Sequence, residues 1–251
     1  QTEQINVVCC FGKSKEEVFA TAGKYVANES YQQELAYQRQ WHDQLNQKMT
    51  ISTGNGYLDL LENVWLKRQV SLGKTWGRVY GKGFRDIMQD VSSFLSLDSQ
   101  TAKQKILSTL EYQKENGNTI RQFDPIFDYP YQDGASWIAQ TILAYLKETD
   151  DGDILDAPVR YYQSELCETV FAHMARGYRY LLSDLGQNGL VLWRGGDWND
   201  SIDNAGMNGI GESVWLSIAT IAGINAFLEI AARYKPDVCM DDYVSGKEKL
   251  E

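Results

Sequence analysis

The 251-residue sequence has few histidines and cysteines, which limits the chemistry it can carry. Its two histidines, His42 and His173, fall on predicted helices without a serine, cysteine or acidic residue close in sequence, which argues against a histidine-based triad and against a zinc site. The four cysteines include no CxxC pair and are predicted to be buried free thiols in a reducing cytosol. A phosphate-binding P-loop motif is also missing.

Net positive charge is absent as well: 24 Lys and Arg stand against 34 Asp and Glu, which gives a net charge of −10. Nucleic acids and anionic membrane surfaces are polyanions, so neither is expected as a partner. The apolar stretch 214–232 is long enough to span a membrane, but it contains Asn225 and Glu229 and is predicted to be a buried core helix. No signal peptide opens the sequence, so we expect a cytoplasmic protein whose natural start precedes Gln1.

Strand patterns are nearly absent after residue 11. Residues 5–11 form one apolar strand-like run, and its pairing partners must lie elsewhere because an isolated strand leaves its backbone unsatisfied. Ser14 and Glu17 then form a capping box that predicts a helix start. Further helices are predicted at about 31–47, 57–69, 99–116, 135–149, 159–185 and 214–234, with a glycine-studded loop at 73–83. Without heptads and with such long loops, a helical toroid fits better than a coiled-coil bundle.

The segment from Trp193 to Asp200 is the most informative part of the sequence, because it gathers two carboxylates, two tryptophans and the amide of Asn199 around a diglycine. Tryptophan rings stack on pyranose rings, carboxylates and amides bind hydroxyl groups, and a protonated carboxyl group can donate to a glycosidic oxygen. An ordinary Gly-Asp turn is the alternative. The segment is predicted to be a loop ahead of the 214–234 helix, and loops on a rigid scaffold often carry catalytic groups.

Within this segment we predict Asp200 to be the proton donor, on the same side as Trp198 and opposite Asp197. A protonated Asp200 requires burial or a neighbouring carboxylate, for which Asp197 is the candidate. Asp133 precedes another predicted helix, where helix capping is the default role and a sugar-hydroxyl contact is the second.

A third group of charged residues surrounds the predicted 73–83 loop. A guanidinium beside a carboxylate suits the vicinal hydroxyls of a sugar, and Arg68, Arg78 and Asp86 are predicted to serve in this way. For Arg85 and Asp90 the favoured interpretation is a buried network that holds the loop.

Several separated motifs resemble the glycoside phosphorylases of glycoside hydrolase family 94, which include cellobiose, chitobiose and β-1,2-oligoglucan phosphorylases. The resemblance covers residues 5–235 and rests on these segments in this order: Gly83-Phe84-Arg85-Asp86 with Gln89-Asp90, Tyr145-Leu146-Lys147-Glu148-Thr149, Gly196-Asp197-Trp198-Asn199-Asp200 and Gly211-Glu212-Ser213-Val214-Trp215-Leu216.

The resemblance implies a mainly α fold: part of an (α/α)6 barrel at 53–251, a helical linker at 14–52 and a remnant strand of an N-terminal β-sandwich within 1–13. It also implies that Asp200 is the general acid and Trp198 the subsite tryptophan. Arg68, Arg78 and Asp86 resemble the groups that hold the sugar at the non-reducing end.

The implied reaction is inverting phosphorolysis of a β-linked gluco-oligosaccharide by inorganic phosphate, without a metal or cofactor. The family's phosphate-binding segment lies beyond the sequence given, so we expect a fragment of a larger enzyme, and the family's dimers imply a homodimeric parent. The segments 73–78 and 121–133 resemble the β-1,2-glucan branch. The alternatives are an inverting hydrolase with Asp197 or Asp133 as base, and a non-catalytic carbohydrate-binding or structural fragment.

Overall fold

Helices dominate the computed structural model, which describes residues 7–26, 28–78, 80–202 and 204–251. The chain divides into two compact units, residues 1–69 and residues 70–251. This mainly helical architecture confirms the predicted fold class at that level. The predicted division into strand, linker and barrel stays a prediction.

The first unit contains α1 (Lys15–Val26), α2 (Asn28–Gln47), α3 (Gly56–Leu60), a π-helical segment (Leu61–Leu66) and the first residues of α4 (Lys67–Trp76). The predicted start of α1 is confirmed, since Ser14 Oγ accepts the N–H of Glu17 at 3.2 Å. The Glu17 carboxylate accepts the N–H of Lys13 at 2.8 Å, which satisfies a second free donor at the helix start.

The predicted loop at 73–83 is shorter in the structure, because α4 continues to Trp76. Gly73 does not end the helix, since a single glycine costs only about 1 kcal/mol of helix propensity. The helix ends where Arg78 adopts a left-handed backbone conformation with φ of 61°.

The described residues 7–11 of the predicted strand at 5–11 pair with no other described segment, and residues 5 and 6 lie outside the described part. Val7 is 81% exposed and Phe11 92%. Because its partner strands were expected elsewhere, the strand stays a prediction.

The predicted burial of the cysteines is wrong. All four are free, but Cys9, Cys167 and Cys239 are exposed and Cys10 is partly exposed, because they lie on this unpaired segment, on a two-stranded hairpin and after a helix end.

The second unit is built from helices around one core. They are α5 (Phe84–Phe94), α6 (Ser99–Leu110), α7 (Ile138–Thr149), α8 (Val170–Ser183), α9 (Val214–Tyr234) and α10 (Asp241–Leu250). The helices α7 and α9 pack together, as do α5 and α6. Met88, Ile138, Tyr178 and Phe227 are among the fully buried core residues.

Among the described residues, two antiparallel strand pairs lie beside these helices: β1 (Lys82–Gly83) with β2 (Gln122–Phe123), and β3 (Pro158–Arg160) with β4 (Cys167–Thr169). The second pair corrects the predicted helix at 159–185. Burial alternates along β3, with Val159 buried between two exposed neighbours, which is the period of a strand. The helix begins only at α8, where Thr169 Oγ1 accepts the N–H of Ala172 at 3.2 Å.

The predicted core helix at 214–234 is confirmed as α9. Among the described residues it is the one helix whose length and composition would also suit a membrane span, and half of its most apolar window is buried within this chain. Its buried hydroxyls are satisfied inside the helix, since Ser217 donates to the Ser213 carbonyl and Thr220 to the Leu216 carbonyl. The predicted 99–116 helix ends at Leu110, and the 135–149 helix begins as a 3-10 turn at Asp133–Trp137.

Close packing of α9 predicts that Gly223→Ala destabilises the protein. A Cβ there would lie 2.8 Å from the Ser136 carbonyl oxygen and against the hydroxyl of Tyr178. We expect a loss of roughly 1–3 kcal/mol in the free energy of unfolding, measured in urea. The matched control is Gly23→Ala in α1, where a Cβ meets open space and helix propensity should give a gain of about 0.5–1 kcal/mol. Equal effects of the two changes would contradict the packing argument.

Candidate functional site

Three chain segments meet where the sequence motifs predicted a site. Pairing of β1 with β2 brings the start of α5 beside Arg121. A parallel bridge between Tyr131 and Gly196 joins the 130–133 loop to the diglycine, with the N–H of Gln132 donating to the Gly196 carbonyl at 3.0 Å. Gly196 has no room for a side chain, because a Cβ would lie 2.6 Å from the ring of Tyr131. The diglycine therefore permits this close approach.

The guanidinium of Arg85 lies at the junction of these segments. Its Nη1 donates to Asp133 Oδ2 at 3.1 Å and to the Asp197 carbonyl at 2.7 Å. Its Nη2 donates to both carboxylate oxygens of Asp200, each at 2.7 Å. Burial alone would lower the pKa of Arg85, but Asp133 and Asp200 outweigh it and raise the pKa above its usual value. Arg85 thus lies in an Arg/Asp network, as predicted, but its carboxylate partners are Asp133 and Asp200, 48 and 115 positions away, and Asp90 pairs with Arg78 instead.

Arg121 is a second guanidinium at the site that sequence reasoning missed. Its Cζ lies 4.2 Å from the ring centroid of Tyr131, and its Nη2 lies 3.4 Å from Asp200 Oδ1. The guanidinium of Arg85 faces the same ring at 5.6 Å. Tyr131 therefore supports both cations that contact Asp200.

Asp133 is a buried carboxyl group, with its side chain only 2% exposed. Burial raises the pKa of Asp133 to about 6, although the hydrogen bonds from Arg85 and Trp137 act in the opposite direction, and Asp197 adds to the increase. The predicted capping role is wrong, because the side chain turns toward Arg85 instead of the helix N–H groups. Asp133 contributes the buried end of an Asp133–Arg85–Asp200 arrangement.

Asp197 and Asp200 have different surroundings, although they are three residues apart. Asp197 is buried, and its carboxylate accepts the N–H of Asn199 at 2.8 Å and the hydroxyl of Ser213 at 2.6 Å. Asp200 is 52% exposed, and its side-chain partners are Arg85 and Arg121. The expectation that Asp200 is buried or has Asp197 as its carboxylate neighbour is therefore not met. The buried hydroxyl of Ser213 holds Asp197 instead.

Trp198 and Asn199 occupy the exposed turn that leads into Asp200. The indole of Trp198 is 51% exposed and stacks on Trp215 with ring centroids 5.9 Å apart. The N–H of Asp200 donates to the Trp198 carbonyl at 3.2 Å. Asn199 accepts the N–H of Ser201 at 3.2 Å, so its side-chain oxygen supports the short 3-10 turn Asp200–Ile202.

The other predicted binding residues lie in two places. Arg78 donates to Asp90 through Nε at 3.1 Å and Nη2 at 3.0 Å, and its Nη1 lies 3.4 Å from Asp86 Oδ1. The hydrogen bond to Asp90 raises the pKa of Arg78 above its usual value. Arg68 belongs to the first unit, where its guanidinium lies 5.8 Å from the ring centroid of Trp65.

A small cleft of the second unit collects several of these groups. The residues that line it are Phe84, Arg85, Asp86, Thr119, Ile120, Arg121, Tyr131, Asp133 and Gly134. It thus unites the predicted residues Asp86 and Asp133 with the two arginines that contact Asp200. Within the described residues, no group of three or more His, Cys, Asp or Glu side chains has the arrangement of a metal site.

Comparison with known proteins matches residues 40–250 to the family described as glycosyl hydrolase 94 superfamily, catalytic domain. A solabiose phosphorylase of Paenibacillus borealis is 41% identical over 187 residues, which cover 74% of this chain and 24% of that protein. An N,N'-diacetylchitobiose phosphorylase of Vibrio furnissii is 25% identical over 243 residues, 82% of this chain and 30% of that protein.

The cyclic beta-(1,2)-glucan synthase NdvB of Rhizobium meliloti is 30% identical over 174 residues, 61% of this chain and 6% of that protein. The chain therefore spans less than a third of the length of each of these three relatives.

The contacts of Ser213 predict a larger loss of stability for Ser213→Ala than for an ordinary helix cap. Ser213 Oγ accepts the N–H of Leu216 at the start of α9 and also donates to the buried Asp197. Loss of the cap costs about 1 kcal/mol, and a buried carboxylate left one donor short adds about 1–3 kcal/mol. Thr169→Ala removes the α8 cap alone and is the matched control. Equal losses in urea unfolding would mean that Asp197 does not depend on Ser213.

The raised pKa of Asp133 predicts a characteristic pH dependence of stability. Because the folded-state pKa of about 6 lies above the usual aspartate pKa of 3.8, the contribution of Asp133 to stability is fully present below pH 4 and is lost as the pH rises through 6. The difference in unfolding free energy between the wild type and Asp133→Asn should therefore shift against the wild type over this range, by an amount on the order of 3 kcal/mol.

A control with the opposite sign is Asp98→Asn. Burial alone would raise the pKa of Asp98, but hydrogen bonds from Lys74 and Thr101 outweigh it and hold the pKa at about 2. Its contribution is therefore present above pH 4 and is lost as the pH falls toward 2. Urea denaturation between pH 2 and pH 7 would measure both, and a pH-independent difference for Asp133→Asn would contradict the buried, proton-binding carboxyl group.

Proposed function

The chain belongs to the glycosyl hydrolase 94 superfamily, within its catalytic domain, and from this we propose that it contributes to phosphorolysis of a β-linked oligosaccharide at the site around Asp200. One observation carries the proposal. An exposed tryptophan and a half-exposed carboxyl group lie on the same turn, and that turn is joined to a cleft lined by arginine and aspartate side chains. Stacking surface, proton donor and hydroxyl-binding groups are the components that cleavage between two sugars requires.

In the proposed reaction, inorganic phosphate attacks the anomeric carbon from the face opposite the leaving oxygen. Asp200 donates its proton to that oxygen as the bond to the anomeric carbon breaks. A β-linked substrate thus gives an α-linked sugar 1-phosphate and a shortened saccharide. One carboxyl group is enough, because phosphate is already a nucleophile and needs no base to activate it.

The binding residues follow from the same proposal. Trp198 stacks on a sugar ring, and its indole is held by Trp215 beneath it. Asp86 and Asp133 accept from sugar hydroxyls at the cleft, while Arg78 and Asn199 contact the sugar from the adjoining segments. The role predicted for Arg68, which belongs to the first unit, stays a prediction. The helices of the second unit are proposed to be part of an (α/α)6 barrel.

The substrate is proposed to be a β-linked glucoside, and the relatives define a panel for testing it. The names of these relatives mention solabiose, N,N'-diacetylchitobiose and β-1,2-glucan, and these three saccharides form the panel. The segments 73–78 and 121–133 favour a β-1,2-linked substrate. The second of these carries Arg121 and Tyr131, which lie at the cleft and can therefore influence linkage preference.

We predict that the full-length protein releases a sugar 1-phosphate from one member of this panel, and only when phosphate is added. Asp200→Asn should lower this rate by about 10²–10⁴-fold, the usual contribution of a general acid. The matched control is Asp156→Asn, an exposed aspartate paired with Lys235 on another part of the second unit, which should leave the rate unchanged. Sugar 1-phosphate and free sugar are measured separately.

Other results would contradict the proposal in recognisable ways. Free sugar released without phosphate would identify an inverting hydrolase. Saccharide binding in calorimetry without turnover of any panel member would identify a non-catalytic protein. Unchanged phosphorolysis in Asp200→Asn would exclude Asp200 as the acid.

A further inference from the structure

We infer that Arg85 is a positioning residue for Asp200, holding both its carboxyl group and the loop that carries it; this inference rests on the proposed function of Asp200. It goes beyond the predicted role of Arg85, which was to stabilise a loop together with Asp90. Three observations support this inference: the contacts of the two terminal nitrogens of Arg85, the burial of the side chains that they join, and the different contacts of Arg121.

The two terminal nitrogens of Arg85 have separate tasks. Nη1 lies between a carboxylate oxygen of Asp133 and the main-chain carbonyl of Asp197, at 3.1 and 2.7 Å. Nη2 faces both oxygens of Asp200. Because Asp197 and Asp200 belong to the same turn, one nitrogen holds the backbone of the turn while the other orients the side chain. The rigid planar guanidinium couples these two contacts.

Burial differs along this arrangement in the direction that positioning requires. The side chain of Asp133 is 2% exposed, that of Arg85 11% and that of Asp200 52%. The anchor is therefore in the protein interior, and the group that it orients reaches solvent. Since α5 carries Arg85 on its first turn and packs on the core through Met88, the anchored end is also tied to the helical frame.

Arg121 does not replace Arg85 in this role. It approaches a single oxygen of Asp200 at 3.4 Å, its side chain is 24% exposed, and it rests on the face of Tyr131. It adds positive charge beside Asp200 without a contact to the backbone of the 197–200 turn. Among the described residues, the charged side chains in contact with Asp200 are thus Arg85 from α5 and Arg121 from the segment before β2. Arg85 contacts the carboxylates of Asp133 and Asp200, and the positive charge of Arg78 also acts on it.

The test uses Arg85→Gln and Arg85→Lys in the full-length protein, with the saccharide that yields sugar 1-phosphate. Arg85→Gln should lower kcat by about 10²-fold, because misplacement of a catalytic group by about 1 Å costs this much, while KM stays within about threefold. A change of kcat without a change of KM is the result that a purely structural role would not give. Arg85→Lys should show a smaller loss of kcat than Arg85→Gln because it keeps the positive charge, and still a loss because a single amine cannot serve both contacts.

The matched control is Arg176→Gln. Arg176 has comparable contacts away from the site, donating to both oxygens of Glu168 and to the Glu115 carbonyl. This variant should lower the melting temperature as Arg85→Gln does, yet leave kcat and KM unchanged. A role of Arg85 in stability alone would make the two variants alike in every measurement, which would overturn the inference.

Failure of the inference and failure of the proposed function give different results. Wild-type kcat in Arg85→Gln, together with an inactive Asp200→Asn, would overturn the positioning role and leave the proposed function standing. Full activity of Asp200→Asn would overturn both. If Arg85→Gln does not fold, Arg85→Lys decides: a wild-type kcat there would overturn the positioning role, because it would show that the two-nitrogen arrangement is not needed.

Discussion

The geometry of the site depends on the ion pairs that the guanidinium of Arg85 forms with Asp133 and Asp200. This guanidinium joins the first turn of α5 to Asp133, 48 residues away, and to the 197–200 turn, 112 and 115 residues away. The 130–133 loop and the segment that carries the 197–200 turn contain little regular secondary structure, and only a few backbone hydrogen bonds join them. The partly buried guanidinium of Arg85, which bonds acceptor groups on three residues, holds these short loops together where packing alone cannot. Removing one partner from such a cluster leaves a partly buried charge uncompensated, which destabilises the whole arrangement.

The helical frame holds the 197–200 turn from two sides. On one side Arg85 projects from α5, and on the other Ser213, at the start of α9, holds the carboxylate of Asp197. Both helices belong to the same hydrophobic core. The turn itself is therefore exposed at Trp198 and Asp200 but supported from below by Asp197. Rigid support beneath exposed polar groups is what a site on loops needs, because the groups must keep their geometry while they remain accessible to a ligand.

Sequence patterns predicted the parts of this structure that depend on neighbours in the chain. The Ser14 cap, the bounds of α9 and the position of the diglycine turn ahead of it follow from local periodicity and capping. Partners across long separations were not predictable in the same way. Asp90 is close to Arg85 in sequence, yet it pairs with Arg78, because the backbone of Arg78 turns left-handed at the end of α4. Arg121 had no signal of its own beyond lying next to a strand. Its role follows only from the ring of Tyr131 beneath it.

The environments of the carboxylates bear on whether water or phosphate is the nucleophile. An inverting hydrolase needs a second carboxylate that can hold and deprotonate a water molecule. Asp197 has both oxygens engaged, by Ser213 and by the N–H of Asn199, and Asp133 is buried and bonded to Arg85 and Trp137. Both oxygens of Asp197 and Oδ2 of Asp133 are therefore engaged in hydrogen bonds within the protein, which argues against either group as the base of a hydrolase. The proposed phosphorolysis needs no such base, because phosphate is already a nucleophile when it attacks from the face opposite Asp200.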